Sequence, residues 1–296
     1  SQAQIACDKA REGGGGKVHL FDNENELMAA RHAQSQMVTT VQAALANDQF
    51  DLYCQPIVAL DPNVHGRHFE VLLRMRDSAG DIVPPNVFLP IAERYSLLPQ
   101  IDRWVIRNTL KTLAASSFLV VAPDTVCAIN LSGQSLSDGQ FLDFVLDAVA
   151  EFDVAAENVC FEITETAAIN DLGMAQLFIT ELRSRGFRFS LDDFGTGLSS
   201  FTYLQQMPVD YLKIDGSFVS KITTDPISRA MVKAIADVAQ AMQVHTVGEF
   251  VEDESIRDAL TELGITYGQG YLFSRPVPIA QHFASILDSV DREMGV

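Results

Sequence analysis

Residues 190–197 read Ser190-Leu191-Asp192-Asp193-Phe194-Gly195-Thr196-Gly197, and the interpretation of the fold starts from this stretch. Apolar residues at 187, 189 and 191 alternate with polar residues at 188 and 190, which predicts a strand with one buried face. Where the strand gives way to a loop the alternation relaxes, so we expect both carboxylates to reach one site. Glycine at 195 and 197 would let the backbone turn sharply and approach a ligand or another chain. An Asp-Asp pair alone is typical of a solvated loop, so its meaning depends on the other strand ends.

Strand-like apolar segments recur from Phe50 onward, and helical patterns separate several of them. Over roughly 245 residues this alternation predicts an α/β fold of the (β/α)8 barrel type. A doubly wound open sheet shows the same alternation, and periodicity favours the barrel only modestly. The predicted strands are Leu52–Val58, Phe69–Arg74, Val126–Leu131, Val159–Thr164, Phe187–Asp192, Tyr211–Ile214, Val244–Glu249 and Gly270–Phe273.

Three helices stand out by the spacing of their apolar residues. The first, from about Asn25 to Ala46, has the length of a connector between two domains, with a predicted buried stripe at Met37, Val38, Val41, Ala44 and Leu45. A second stripe consists of Met174, Leu177, Phe178 and Leu182, and Gly186 stands at its C-cap position. A third consists of Ile227, Met231, Ala234, Ile235, Val238 and Met242.

The composition is that of a globular protein, with 47% hydrophobic and 20% charged residues among 296. The net charge of −18 argues against a nucleic-acid polymer as partner, because such binders need a basic face. A small anionic ligand remains compatible if metal ions invert the local field. Four scattered cysteines without a C-x-x-C motif predict free thiols in a reducing cytoplasm and argue against zinc: Cys7, Cys54, Cys127 and Cys160.

The chain has three predicted parts: residues 1–22, a connector helix at 23–46, and one domain at 47–296. The first part contains Gly13-Gly14-Gly15-Gly16, and its simplest interpretation is a linker or the end of another domain. The sequence starts at Ser1, so we expect a piece of a longer protein, whose upstream part could include a membrane anchor. No apolar run has the length needed to cross a bilayer, and we expect no membrane contact by this fragment.

Oxygen-bearing side chains, together with one lysine, stand at or near the ends of successive predicted strands. Burying so many carboxylates together without cations would cost several kcal/mol per group. Because the candidate ligands are oxygens, without thiol or imidazole, Mg²⁺ or Mn²⁺ is expected. Salt bridges or helix caps could explain any one of these residues, but not the whole set, which is Glu70, Asn130, Glu162, Glu165, Asp192, Asp193, Lys213, Glu249 and Gln269.

Several motifs in one order resemble the EAL-domain family of cyclic di-GMP phosphodiesterases across roughly residues 45–285. The signature corresponds to Glu70-Val71-Leu72-Leu73-Arg74. The other motifs are Gln55-Pro56-Ile57-Val58, Phe88-Leu89-Pro90-Ile91-Ala92-Glu93, Asn130-Leu131-Ser132, Glu162-Ile163-Thr164-Glu165, residues 192–197, Leu212-Lys213-Ile214-Asp215 and Gln269-Gly270-Tyr271. The resemblance implies a barrel whose first strand is antiparallel to its neighbour. Residues 1–22 resemble the end of a GGDEF (diguanylate cyclase) domain, a common upstream partner, without its signature.

The resemblance also implies roles for individual residues. Two divalent ions would be held by Glu70, Asn130, Glu162, Asp192 and Asp193. Lys213 would orient the attacking water, Glu249 would act as base or hold that water, and Gln269 would complete the water network. Glu165 would brace the loop after Asp193 and couple it to a homodimer interface formed with an adjacent helix. Gln55, Leu72 and Arg74 would contact the nucleotide, and hydrolysis of cyclic di-GMP would give linear pGpG.

Three departures from the family pattern bear on this prediction. Val71 replaces the usual alanine and should have little effect. Phe250 replaces a glycine next to Glu249, so it could narrow the mouth of the site or shift that carboxylate. Leu198 stands where tyrosine is frequent, which bears on dimer packing.

Two other functions compete with hydrolysis. A catalytically inactive EAL domain would act as a receptor for cyclic di-GMP, although every ligand position is filled here. An enolase-type barrel also pairs strand-end carboxylates on Mg²⁺ with a lysine base. That alternative leaves Gln55, Arg74 and the Asp-Asp pair without a specific explanation.

Overall fold

The structure, a computed structural model, describes residues 24–116, 118–195 and 201–294. They form two compact units. One contains the described residues up to Phe50 together with Met75–Leu97, and the other contains Asp51–Arg74 and the described residues from Leu98 onward. The predicted domain remnant at residues 1–22 and the predicted loop residues Thr196, Gly197 and Leu198 lie outside the described residues.

The strands follow the alternation expected from the sequence. They are β1 (Phe50–Ala59), β2 (Arg67–Arg76), β3 (Ile82–Val83), β4 (Thr125–Leu131), β5 (Val159–Thr164), β6 (Arg188–Phe194), β7 (Tyr211–Ile214), β8 (His245–Gly248), β9 (Tyr267–Gly268) and β10 (Val277–Pro278).

The sheet closes into a barrel. Strands β2, β4, β5, β6, β7, β8 and β9 are neighbours in that order and parallel, and β1 pairs with both β9 and β2. Since β1 is antiparallel to β9, it also runs opposite to the other barrel strands. The predicted barrel is therefore confirmed, including the antiparallel first strand, and the open sheet is excluded. Short β3 and β10 pair at the sides of β2 and β1.

Two predicted strands, Val159–Thr164 and Tyr211–Ile214, have the observed bounds, but the last predicted strand is wrong. The eighth barrel strand is β9, three residues earlier than Gly270–Phe273. The Gln269 amide still donates to the Gly248 carbonyl at 2.9 Å, and the chain then turns, with the Phe273 amide donating to the Gly270 carbonyl at 3.2 Å. A run of large apolar residues after Gly270 resembled a strand, but this backbone hydrogen bond closes a turn instead.

The helices lie between the strands in the chain. They are α1 (Glu24–Ala46), α2 (Pro85–Arg94), α3 (Leu98–Ala115), α4 (Phe118–Val121), α5 (Gly133–Leu136), α6 (Phe141–Phe152), α7 (Glu165–Asn170), α8 (Leu172–Arg183), α9 (Phe201–Leu204), α10 (Gly216–Val219), α11 (Pro226–Met242), α12 (Glu254–Glu262) and α13 (Ile279–Met294), with a 3₁₀ turn at Ala156–Asn158. None of the described helices is both long and apolar enough to cross a membrane.

Several acidic residues do serve as helix caps. Asp171, Asp215, Asp225 and Asp253 each accept a hydrogen bond from a backbone amide in the first turn of α8, α10, α11 and α12, respectively. Such caps satisfy amides that have no partner within the helix. These aspartates therefore belong to the local structure, and none of them is a predicted metal ligand.

The buried faces of two helices differ from the prediction. Met174 and Leu177 on α8 are 39% and 68% exposed, and Ile227 on α11 is 74% exposed. The buried residues are Ala175, Phe178, Ile179 and Leu182 on α8, and Ser228, Val232, Ile235, Ala236 and Ala239 on α11. Because both sides of each helix carry apolar residues, packing against the barrel selected an arc that spacing alone could not identify.

Other predictions about the core are confirmed. On α1, Val41 and Ala44 are buried, as their place in the predicted stripe required. Cys54, Cys127 and Cys160 are free and buried, and burial raises the pKa of Cys54 to about 12. Cys7 lies outside the described residues.

Candidate active site

Each of the seven parallel strands, or the residue directly after it, brings a polar side chain to the carboxyl end of the barrel. In the strand register Asn130 lies beside Glu162, and Thr164 lies beside Asp192. Parallel strands end on the same side of a barrel, so residues far apart in the chain meet there. The residues brought to this end are Glu70 on β2, Asn130 on β4, Glu162 on β5, Asp192 and Asp193 on β6, Lys213 on β7, Glu249 after β8 and Gln269 after β9.

Lys213 lies at the centre of this group and is only 1% exposed. Its Nζ is 2.9 Å from Glu249 Oε1 and 3.1 Å from Glu162 Oε2. The same nitrogen is 3.2 Å from Asp192 Oδ1 and 3.4 Å from Glu70 Oε2. One buried ammonium therefore contacts four carboxylates that come from four different strands.

The charges in this group do not balance, and the pKa values reflect it. Burial alone would lower the pKa of Lys213, but the surrounding carboxylates hold it well above its usual value. Burial raises the pKa of Glu162 well above its usual value and that of Glu249 to about 8, because Lys213 offsets only part of the desolvation. A further cation would relieve this unfavourable burial of negative charge.

Glu70 is fixed by two amide side chains. Asn130 Nδ2 donates to its Oε1 at 2.6 Å, and Gln269 Nε2 donates to its Oε2 at 2.7 Å. Burial raises the pKa of Glu70, but Lys213 and these hydrogen bonds outweigh it, so the pKa lies below its usual value. Glu70 is therefore held as an oriented carboxylate.

The Asp192-Asp193 pair adopts the arrangement expected from its sequence. The register between β6 and β7 shifts between Leu191 and Phe194, which interrupts the strict alternation of side chains. Asp193 has a left-handed backbone with φ of 56°, and its amide donates to Asp192 Oδ1 at 2.9 Å. One carboxylate oxygen from each of Asp192, Asp193 and Glu249 lies within 4.8 Å of the other two. Burial, followed by the charges of Asp192 and Asp215, raises the pKa of Asp193 to about 6.

This set of side chains fits hard divalent cations. The carboxylate cluster, defined as Glu70, Glu162, Asp192, Asp193 and Glu249, has one lysine among it. Glu162 Oε1 is buried and accepts no hydrogen bond from the described residues. A buried carboxylate oxygen of this kind is suited to Mg²⁺ or Mn²⁺, which bind oxygen ligands.

Glu165 contacts the loop that follows Asp193. It is buried at the start of α7, and its Oε2 accepts a hydrogen bond from the Gly195 amide at 2.9 Å. Its Oε1 accepts one from the Tyr203 hydroxyl at 2.5 Å. Gly195 has φ of 105°, and a Cβ at this position would lie 2.9 Å from the Phe218 ring, so glycine is required there. Glu165 thus joins Gly195, which follows β6, to Tyr203 on α9.

The three predicted nucleotide contacts lie at or beyond the edge of the carboxylate cluster. Gln55 is buried, donates to the Ser274 carbonyl at 2.8 Å and accepts from Gln269 Nε2 at 3.3 Å. Arg74 donates to the Leu73 carbonyl at 2.8 Å and lies over the Tyr53 ring. Leu72 is half-buried on the same strand.

Phe250 has an unusual backbone for its residue type. Its φ is 52°, and its side chain is 61% exposed. The ring covers the α-carbon of Gly216 and leaves no room for a side chain there. Glu249 next to it contacts Lys213 at 2.9 Å, so Phe250 does not separate this carboxylate from the ammonium.

Three contributors were missed at the sequence level. Asp215, whose charge helps raise the pKa of Asp193, follows Lys213 by two residues at a strand end, a position that could have revealed it. Tyr203 contacts Glu165, and the Ser274 carbonyl contacts Gln55. Both come from segments distant in the chain, and no local sequence pattern predicts either contact.

Comparisons with known proteins show the family to which this chain belongs. The family model described as the EAL domain matches residues 38–276. The cyclic di-GMP phosphodiesterase PdeB of Shewanella oneidensis is 41% identical over 281 residues, which is 95% of this chain and 32% of PdeB. This chain therefore spans about a third of the length of that relative.

Solved structures match as well. The MucR phosphodiesterase of Pseudomonas aeruginosa in complex with c-di-GMP superposes with a TM-score of 0.77 at 31% identity, covering 83% of this chain and 99% of that one. The FimX EAL domain from Pseudomonas aeruginosa bound to c-di-GMP superposes with a TM-score of 0.75 at 31% identity, covering 81% of this chain and 96% of that one.

Proposed function

This chain belongs to the EAL domain family, and we propose that it hydrolyses one phosphodiester bond of cyclic di-GMP to give linear pGpG. The observation that carries the proposal is Lys213 in contact with four strand-end carboxylates at one end of the barrel. Relatives described as cyclic di-GMP phosphodiesterases support the substrate and the reaction. Because the chain belongs to the EAL domain family, the interpretation as an enolase-type barrel is set aside.

We propose that two Mg²⁺ or Mn²⁺ ions belong to the site, held by Glu70, Asn130, Glu162, Asp192 and Asp193. Such ions, when bound, supply a nucleophilic water at neutral pH and stabilise negative charge on the phosphate. The buried Glu162 oxygen and the pKa of about 6 at Asp193 support this ligand set, since both indicate unbalanced negative charge.

Lys213 would stabilise negative charge in the transition state, and Glu249 Oε1 would accept the proton of the attacking water or orient that water. The ammonium of Lys213 is already desolvated, so it would stabilise negative charge on the phosphate oxygens in the transition state without reorganising. Burial raises the pKa of Glu249 to about 8, and its ionised form at or above that pH is a much stronger base than an ordinary carboxylate.

The remaining residues would position these groups and the substrate. Gln269 orients Glu70 and Gln55 through hydrogen bonds, so its proposed place is in the polar network around the attacking water. Arg74 carries a guanidinium that suits a phosphate or a guanine edge. Gln55 and Leu72 would line the nucleotide site beside it.

Glu165 would brace the loop after Asp193, and we propose that this loop and an adjacent helix form a homodimer interface. The hydrogen bonds from Gly195 and Tyr203 support the bracing role. The GGDEF-like and sensory domains upstream, and a cytoplasmic location, stay predictions from the sequence.

Hydrolysis of cyclic di-GMP in the presence of Mg²⁺ or Mn²⁺, followed by chromatography of pGpG, tests the proposal. We expect turnover that a chelator abolishes and that added metal restores. Lys213→Ala should abolish it, whereas Lys221→Ala, at an exposed lysine, should not. Tight binding of cyclic di-GMP by the metal-loaded protein without turnover would overturn hydrolysis and establish the receptor alternative.

A further inference from the structure

A cavity of about 450 Å³ lies at the end of the barrel opposite the carboxylate cluster. The residues that line it stand at or before the beginnings of the parallel strands. They include His68 on β2, Thr125 on β4, Arg188 on β6, Tyr211 on β7 and Tyr267 on β9. Its volume falls within the range of small-molecule sites, roughly 300–1,000 Å³.

Three rings form the buried part of this cavity, and we call them the base layer: His68, Tyr211 and Tyr267. The His68 ring lies 4.8 Å from that of Tyr211 and 5.8 Å from that of Tyr267, between centroids. The two tyrosine rings are 6.0 Å apart. These rings pack on one another and also line the cavity, so a flat aromatic ligand in the cavity would lie against an aromatic surface, where stacked and edge-on contacts are favourable.

His68 supplies the polar group within this layer. Its side chain is only 6% exposed, and neither ring nitrogen has a hydrogen-bond partner in the part of the chain that the structure describes. An imidazole always carries at least one N–H donor. A buried donor without a partner is unfavourable, so a ligand acceptor that reaches His68 would satisfy this donor.

Arg188 supplies further donors beside the rings. Arg188 is half-buried, and its Nη1 donates to the Tyr211 hydroxyl at 3.0 Å. A guanidinium carries five N–H donors, so others remain for a ligand. Hydrogen bonds hold the part of the lining that contains Asn158, Pro123 and Thr125. Asn158 Nδ2 donates at 2.7 Å to the carbonyls of both Pro123 and Thr125.

The charges around the cavity narrow the chemistry of the ligand. The lining contains Arg67 and Arg188 together with Asp124 and Glu157, so neither sign of charge dominates. A phosphate ion or a metal ion would meet both attraction and repulsion. A neutral ligand with flat faces and both donors and acceptors at its edge meets favourable contacts at every wall.

From this arrangement we infer that the base of the barrel is a second binding site, for a planar hydrogen-bonding heterocycle of nucleobase size. One ring nitrogen or carbonyl of the ligand accepts from His68, another accepts from Arg188, and an exocyclic amine donates to Asp124 or Glu157. The inference does not depend on the proposed hydrolysis, because the cavity shares no residue with the carboxylate cluster.

Isothermal titration of the whole 296-residue chain with adenine and with cytosine tests the inference. We expect at least one base to bind with a Kd of about 1 mM or tighter. His68→Phe keeps the ring but removes its N–H, and Arg188→Met removes the guanidinium, so each should weaken binding at least about tenfold. Arg185→Met, at an exposed arginine outside the cavity, is the control and should not change the Kd.

The same titration is repeated with saturating cyclic di-GMP in the absence of divalent metal, to separate this cavity from the proposed active site. Binding that cyclic di-GMP leaves unchanged supports the base of the barrel as the location. Three outcomes overturn the inference: no binding of either base up to about 10 mM, unchanged binding in either cavity variant, or displacement by cyclic di-GMP.

Discussion

The two ends of the barrel are built from the same strands, but one end carries charged side chains and the other carries aromatic rings. Tyr211 precedes Lys213 by two residues on β7, and His68 precedes Glu70 by two on β2. Alternate residues of a strand point to the same side, so each pair faces the barrel interior, about 7 Å apart along the strand. The carboxyl end gathers carboxylates whose negative charge exceeds that of the one lysine, whereas the base gathers tyrosine rings around an imidazole that makes no hydrogen bond to the residues that the structure describes. One scaffold thus supports an ion site and an aromatic site.

The largest effect should come from breaking the carboxyl end. Glu70→Ala or Asp192→Ala removes a proposed metal ligand, so hydrolysis of cyclic di-GMP should fall roughly 1,000-fold or more. Turnover assays with Mn²⁺ and circular dichroism would establish that activity is lost and the fold is kept. Glu157→Ala, at an exposed carboxylate of the base, is the control and should retain activity. Activity retained in either ligand variant would contradict the metal assignment.

Removing the counter-charge should be the next largest effect. Lys213→Met leaves the buried carboxylates without their ammonium, which should lower the free energy of unfolding by about 3 kcal/mol in the absence of metal. Chemical denaturation would measure this change, and added Mn²⁺ should recover part of it. Lys221→Met provides the exposed comparison. Equal stability of the two variants would show that charge imbalance does not govern the carboxyl end.

The base should respond to acid instead of metal. Burial, then the charges of Lys213 and Arg188, lower the pKa of His68 to about 3. Unfolded histidine binds a proton below pH ~6.5 but folded His68 does not until about pH 3, so its contribution to stability is lost as pH falls between these values. At pH 5 the loss should be about 2 kcal/mol. His68→Phe should therefore show a shallower fall in the free energy of unfolding between pH 7 and pH 5; an identical pH dependence would refute the assignment.

Loosening the loop beside the carboxylate cluster should have a smaller effect on activity. Glu165→Gln keeps the shape of the side chain but weakens its hydrogen bonds with Gly195 and Tyr203, by about 1 kcal/mol each. We expect a higher metal concentration for half-maximal turnover and a lower dimer fraction in sedimentation. Tyr203→Phe removes one of these contacts and should reproduce part of the change. If both variants match the parent, Glu165 has no bracing role.

The smallest expected effect concerns the strained backbone at the mouth of the carboxyl end. Phe250→Gly places glycine at a φ of 52°, which should raise the free energy of unfolding by up to about 1 kcal/mol. Asp153→Gly, at a φ of 53° after α6, should give a similar gain. Only Phe250→Gly should also lower the KM for cyclic di-GMP, because removal of the exposed ring next to Glu249 would widen the mouth of the proposed site. Equal KM values in both variants would exclude Phe250 from the substrate site.

The positions of the site residues were largely readable from the sequence, because strand ends carry recognisable polar residues after apolar runs. Glu162 and Asp192 each follow such a run, Glu70 stands directly before one, and all three reach Lys213. The helix faces were less readable. Met174 and Leu177 satisfy helical spacing but are exposed, because only contact with the barrel selects the buried arc of an amphipathic helix. The last strand was displaced for a similar reason, since the turn after Gly270 depends on backbone hydrogen bonds.

The sequence by itself determined the alternation of strands and helices, the family and the polar residues near the strand ends, since periodicity and motif order are local properties of the chain. Periodicity left the open sheet as an alternative, and closure of the sheet excluded it. Only the tertiary structure decided which groups share one volume. Closure of the barrel brought Tyr203 to Glu165 and placed four carboxylates around one ammonium. It also assembled His68, Tyr211 and Tyr267 into a base layer that no single segment reveals. Contacts between strands far apart in the chain depend on register and closure, and neither is encoded in any one stretch of residues.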